Sequence, residues 1–262
     1  MTLLLTYHRI VPNATVENIH VLSQHAFLRQ VELIVSSGIR VAAPADFGDV
    51  QYDDQHRIGL TFDDGYLSDL ACADALAAHG IKAIFFVSSA NVGAPGYLDV
   101  EDLRELDAMG MTVGSHSHQH ARLTTFDFAE AVSQVQRSKA LLEDALGKPV
   151  CDFAFPGGAC TRRLSAAVRA AGFSRQFTLA WGINSGTDAA TGVFRRSCVV
   201  QGMSDEYFLN LISGSNDLDR KMHYMLKSAA SLLGDTFYRR LRERYLGFAH
   251  TAAPRGAARL VR

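Results

Sequence analysis

Asp63 and Asp64 stand side by side in the stretch GLTFDDGY (59–66), at the end of a run that reads as a buried strand, with Gly65 directly after them. Successive side chains on a strand point to opposite faces. At a strand end, one of two adjacent carboxylates can therefore bind a cation while its neighbour, brought round by the glycine bend, faces the same pocket. The pair suits an Asx turn through Asp64 and Gly65 equally well. The segment VGSHSHQHARL (113–123) follows another expected strand end and carries His116, His118 and His120. A spacing of four lets His116 and His120 converge on one ion if the segment turns. A carboxylate from another strand would complete a three-ligand site with room for water, the pattern of a catalytic rather than a structural metal centre. His118 alternates with these two and points elsewhere. A divalent ion held in this way lowers the pKa of its bound water towards ~7, which is hydrolytic chemistry.

Such groups need a scaffold that brings strand ends together. LLLTY (3–7), IRVAA (39–43), IGLTF (58–62), AIFFVS (83–88), MTVGS (111–115), CDFAF (151–155) and RQFTLA (175–180) read as strands, and AIFFVS is apolar up to its final serine, as in a parallel sheet covered on both faces. Helical patterns alternate with them. One is capped by Ser23, with Phe27, Val31 and Ile34 on one face and Gly38 as its stop; another opens on an Asp127/Glu130 pair at capping-box spacing. About seven alternations without a glycine-rich phosphate loop predict an α/β fold, a distorted parallel (β/α) barrel, over residues 1–214. Residues 215–262 follow a different pattern: apolar residues from Leu218 to Tyr245 recur at helical spacing, which predicts a helical extension broken at Gly234.

Composition limits what these motifs can mean. The chain has 262 residues, 48% of them hydrophobic and 20% charged, enough for one large core. A net charge of −1 argues against a nucleic-acid-binding body. The charge is uneven, since residues 215–262 hold 10 Lys/Arg against 4 Asp/Glu. This basic amphipathic tail is expected to dock on the barrel, on a partner or on an anionic membrane surface. Cys72, Cys151, Cys160 and Cys198 form no C-x-x-C pair and read as reduced structural thiols. The N-terminal apolar run is too short for a signal peptide and no stretch is long enough to span a membrane, so the expected location is cytoplasmic.

TFDDG, then HSHQH some fifty residues later, then FAFPGG (153–158) resemble, in that order, the motifs of the polysaccharide deacetylase family, carbohydrate esterase family 4. The resemblance covers about residues 1–213. It implies a distorted (β/α) barrel whose metal is held by Asp64, His116 and His120, with Asp63 as general base and the Gly157 N–H as an oxyanion donor. Two features depart from the family's pattern. Ala154 stands where an arginine usually steadies the base, and the late Leu-x-x-His motif that supplies the general acid is absent. LTYHRI (5–10) resembles instead the Tyr-His motif of a subgroup with permuted strand order, which puts His8 in the acid's place. Arg9 and Arg196 are the candidates to replace the lost arginine. Tyr66, Pro156 and Trp181 are the expected substrate contacts. The resemblance implies a metal-dependent hydrolase that removes an N-acetyl group from an amino sugar in a glycan, an oligosaccharide or a lipid- or nucleotide-linked sugar. Hydrolysis of another non-peptide C–N bond and a catalytically silent carbohydrate-binding barrel are the alternatives. Zinc is the default ion for two histidines and a carboxylate, with cobalt, nickel and manganese also suited.

Overall fold

A computed structural model of the chain describes residues 1–14, 18–48 and 56–214. The tail expected over 215–262 lies outside the described residues. Twelve strands and seven helices follow one another among those described. The strands are β1 (Thr2–Tyr7), β2 (Ile10–Val11), β3 (Leu22–Ser23), β4 (Arg40–Val41), β5 (Arg57–Asp64), β6 (Ala83–Val87), β7 (Thr112–Ser115), β8 (Asp152–Ala154), β9 (Arg175–Phe177), β10 (Ile183–Asn184), β11 (Val193–Phe194) and β12 (Ser197–Cys198). The helices are α1 (Gln24–Ser36), α2 (Ser68–Ala77), α3 (Val100–Ala108), α4 (Phe128–Leu146), α5 (Arg162–Ala170), α6 (Gly186–Thr191) and α7 (Asp205–Ile212).

The helix ends follow local chemistry. Ser23 accepts the Ala26 N–H and starts α1; Asp127 accepts the Glu130 N–H and starts α4; left-handed Gly147 stops α4. The strands pair in the order β10-β1-β5-β6-β7-β8-β9-β11, with β12 also on β1 and β4 also on β5. The pairs from β1 through β5, β6, β7 and β8 to β9 and β11 are all parallel. β11 lies on β9, and a few residues later β12 lies on β1. The short stretch 193–198 thus joins the two edges of the sheet and closes a barrel-like wall. The strand expected over 39–43 shortens to Arg40–Val41, because a 3₁₀ turn from Pro44 to Gly48 takes over. The two-residue strands β10 to β12 and helix α6 carry too few residues to show a period and were not anticipated.

Alternation along the strands divides the core in two. Leu3, Leu5, Phe62, Phe85 and Val87 face the helices in the larger cluster. Leu4, Ile84, Phe86, Ala154, Phe177 and Phe194 fill the barrel interior. Gly59 faces inward as well, where an added Cβ would come within 2.5 Å of the Phe47 ring. The same parity sends Thr61 and Asp63 inward above that apolar layer. Thr6 joins them, its hydroxyl 3.1 Å from that of Thr61.

Candidate active site

Asp63 is the last inward-facing residue of β5 and only 1% of it is exposed. A buried carboxylate keeps its charge only with strong partners. Arg196, itself fully buried, supplies them through a bidentate fork: Nη1 donates to Oδ1 at 2.6 Å and Nη2 to Oδ2 at 2.8 Å. Nη1 also lies 3.2 Å from the Thr61 hydroxyl, Nε donates to the Thr178 carbonyl, and the guanidinium stacks over Phe86 at 5.0 Å. Burial works against the Asp63 charge, yet Arg196 and then His116 outweigh it and hold the carboxyl below its ordinary range. Of the two arginines weighed as replacements, Arg196 is the one that meets the carboxylate. Arg9 instead lies over the Tyr66 ring, 5.5 Å from its centroid.

By strand parity Asp64 should face away from the interior. Its φ of 86° and the following Gly65 at 76° turn the chain back, so that its Oδ1 sits 2.8 Å from His120 Nε2 and 3.6 Å from His116 Nε2. Gly65 is required twice: its φ is positive, and a Cβ would come within 2.9 Å of the Val87 side chain. His116 shares the inward parity of Gly114. Its Nδ1 donates to the Ala154 carbonyl at 2.9 Å, which leaves the Nε2 lone pair aimed at the carboxylates. Left-handed Ser117 (φ 65°) and His120 (φ 55°) bend the loop so that the second imidazole returns to the same point. One donor atom each from Asp64, His116 and His120 lies within 4.8 Å of the others. His118 turns away and pairs its Nδ1 with the Ser89 hydroxyl at 2.8 Å.

Two imidazoles and a carboxylate at that separation fit a divalent cation, and so does the buried Asp64 Oδ1, which lacks a well-directed hydrogen-bond donor. The charges here respond to one another. Burial opposes ionisation of Asp64, but the close approach of His120 and the charges of His116 and His8 press its carboxyl far down. Burial lowers the His116 pKa, whereas the nearness of Asp64 raises that of His120.

His8, two residues beyond inward-facing Thr6, is close enough for its charge to act on both Asp63 and Asp64. Its ring tilts against that of His20 at 4.9 Å, and its Nδ1 is buried without a hydrogen-bond partner among the described residues. Gly157, at φ 64°, forms the tight turn Pro156–Gly158 immediately after β8. Tyr66 stacks on Tyr97 with centroids 5.1 Å apart. Pro156 is buried, and half-buried Trp181 packs against the larger core.

Asp69 was not singled out from the sequence. It is fully buried on α2, and burial together with the charges of Asp64 and Asp63 pushes its carboxyl well above the usual range. A signal was present: an acid interrupts the stripe Cys72, Ala73 and Leu76 that α2 buries.

Residues 51–175 match the polysaccharide deacetylase family. A chitin deacetylase of Pestalotiopsis sp is 40% identical over 92 residues, 34% of this chain and 30% of that one. The peptidoglycan-N-acetylglucosamine deacetylase PgdA of Listeria monocytogenes is 35% identical over 112 residues, 42% of this chain and 23% of that one. The chain thus spans less than a third of the length of either relative. IcaB from Ammonifex degensii has a similar structure, with a TM-score of 0.70 at 24% identity, covering 81% of this chain and 95% of that one. The Streptococcus pyogenes deacetylase PplD gives 0.72 at 19%, covering 80% and 96%. At such identities the likeness speaks for the fold.

Proposed function

We propose, because residues 51–175 belong to the polysaccharide deacetylase family, that this chain is a metal-dependent hydrolase removing an N-acetyl group from an amino sugar. The observation that carries the reading is the pairing of two differently held carboxylates at one strand end. Asp63 is fixed by Arg196, and Asp64 lies with His116 and His120 in a cluster of donors.

Asp64, His116 and His120 would hold the ion, with zinc the default and cobalt, nickel or manganese able to serve. When bound, it supplies a Lewis acid and a water of lowered pKa. Asp63, kept ionised by Arg196, takes the proton of the water that attacks the acetamide carbonyl. The Gly157 N–H donates to the oxygen that gains charge. His8 gives its proton to the departing amine, without which an amide nitrogen leaves poorly. Tyr66, Pro156 and Trp181 border the sugar.

The test is acetate release from N-acetylated amino-sugar oligomers before metal stripping, after it, and after return of each metal. Release that stops with chelation and recovers with one of these ions supports the reading. A metal-loaded protein that releases no acetate from any oligomer overturns it.

A further inference from the structure

A groove of about 860 Å³ runs outside the barrel between α5 and the α6–β11 segment. It belongs to none of the groups assigned above. It starts at Cys160 and Thr161, so its upper end lies within three residues, roughly 10 Å of chain, of Gly157. The turn also touches the groove wall: Gly158 packs so closely on Leu179 that an added Cβ would come within 2.6 Å of it, and both neighbours of Leu179, Thr178 and Ala180, line the groove.

Arg162, Arg169 and Arg195 line it against a single carboxylate, Asp188, which Arg195 already holds at 3.0 Å. Arg169 donates to a neutral carbonyl, that of Thr191, and exposed Arg162 makes no ion pair among the described residues. Among the described residues these two guanidinium groups therefore meet no carboxylate, on a body whose acids outnumber its bases outside the tail. The turn itself is bordered by the Arg122 side chain, which occupies the space a Cβ on Gly157 would need, its Nε 2.8 Å from that position. Between the guanidinium groups the wall is carbon, formed by Ala166, Ala170, Ala180 and Val193.

We propose that the groove is an extended subsite for an anionic glycan, a chain of sugars bearing carboxylates or phosphates that leaves the metal site over the Pro156–Gly158 turn. This rests on the deacetylase reading above and names its substrate class. Sugar rings offer apolar faces to the alanines and valine, and guanidinium forks suit carboxylate and phosphate oxygens. The basic tail is the wrong occupant, because its 10 Lys/Arg against 4 Asp/Glu carry the same sign as the groove.

Cys160 gives a native reporter, a half-buried thiol in the groove, with exposed Cys151 as an internal reference. Alkylation of both thiols by iodoacetamide, read by mass spectrometry on the full-length chain, is compared with three oligomers of equal length. One is neutral, one carries a carboxylate on alternate sugars, and one is joined by phosphodiesters. The expected result is slower alkylation of Cys160, and not of Cys151, with one or both acidic oligomers. Which of them protects identifies the anion. High salt should abolish the protection. Replacing both Arg162 and Arg169 with Gln should weaken it by roughly 10-fold, the effect of two exposed charge contacts, whereas Arg137→Gln, on exposed α4 surface, should not. Equal protection by the neutral oligomer, none from any oligomer, or a Cys160 already shielded without ligand would each overturn the proposal. Acetate release from the same oligomers separates the two readings. Release without Cys160 protection leaves the deacetylase standing and removes the groove, while protection without release does the reverse.

Discussion

Asp63 carries its charge in the barrel interior because a two-pronged donor balances the water it has lost. Replacing Arg196 with Lys removes the fork while keeping one charge. The Asp63 pKa should then rise, and the acid limb of the kcat/KM profile, which reports the free enzyme's base, should move to higher pH. An unmoved limb would show that Asp63 is not the base. The same pairing makes an acid-stability claim. The Asp63 pKa is depressed in the fold, so its contribution is present above the unfolded value of ~3.9 and is lost as pH falls through the folded one. The three histidines divide by partner. His116→Ala or His120→Ala should lose bound metal, whereas His118→Ala should keep it and cost about 1–2 kcal/mol for the severed bond to Ser89, as read by metal analysis and denaturant titration. Equal metal loss in all three variants would overturn the choice of ligands. His8→Ala should keep stoichiometric metal while turnover of an acetamide falls by on the order of 10²–10⁴-fold. An aryl acetate, whose leaving group departs without a proton, should partly rescue it, and wild-type turnover on the acetamide would remove His8 from the mechanism.

Elements act here through their ends. β5 delivers one carboxylate by its regular alternation and the other by breaking it at Asp64 and Gly65, and α2 follows directly. Asp69 in the first turn of α2 would normally be an exposed anion favoured by the helix dipole. Its burial, with the charges of Asp64 and Asp63, pushes its pKa up instead. Between the unfolded value of ~3.9 and the much higher folded value, the native state holds a proton that the unfolded state lacks, so stability declines as pH rises through that window. Asp69→Asn removes the ionisation. It should flatten that decline and gain most at the alkaline end, as measured by urea midpoints across pH. A variant with the wild-type slope would show that Asp69 ionises normally in the fold.

At the scale of the whole molecule, the barrel depends on a seam made by strands two residues long. Asn184 spans it, donating from Nδ2 to the Thr2 and Arg195 carbonyls and accepting the Arg195 N–H at 2.8 Å, all with 4% exposure. Asn184→Leu strands three backbone groups and should cost about 3 kcal/mol. Since Arg195 leads directly into Arg196, the variant should also loosen the grip on Asp63 and lower turnover beyond what the lost stability explains. An unchanged urea midpoint would show that the seam does not depend on this side chain.

The motifs TFDDG and HSHQH picked out in advance the carboxylate and two histidines that the fold brings together as a candidate site, because strand parity and a four-residue histidine spacing are local properties. Apolar periodicity likewise fixed the parallel βα alternation, and capping residues fixed the helix starts at Ser23 and Asp127, where cap and helix are neighbours in the chain. Only the tertiary structure chose between Arg9 and Arg196, since Arg196 reaches Asp63 across 133 residues from the short link between β11 and β12, two strands too short to show a period. The bend expected at Gly65 does bring Asp64 back against its parity, but only the structure shows that Asp64 itself takes a left-handed backbone, which a non-glycine residue rarely adopts. The tertiary structure also buried Asp69 and opened the arginine-lined groove, because burial and field sum over all elements that meet at a point and are written in no single segment.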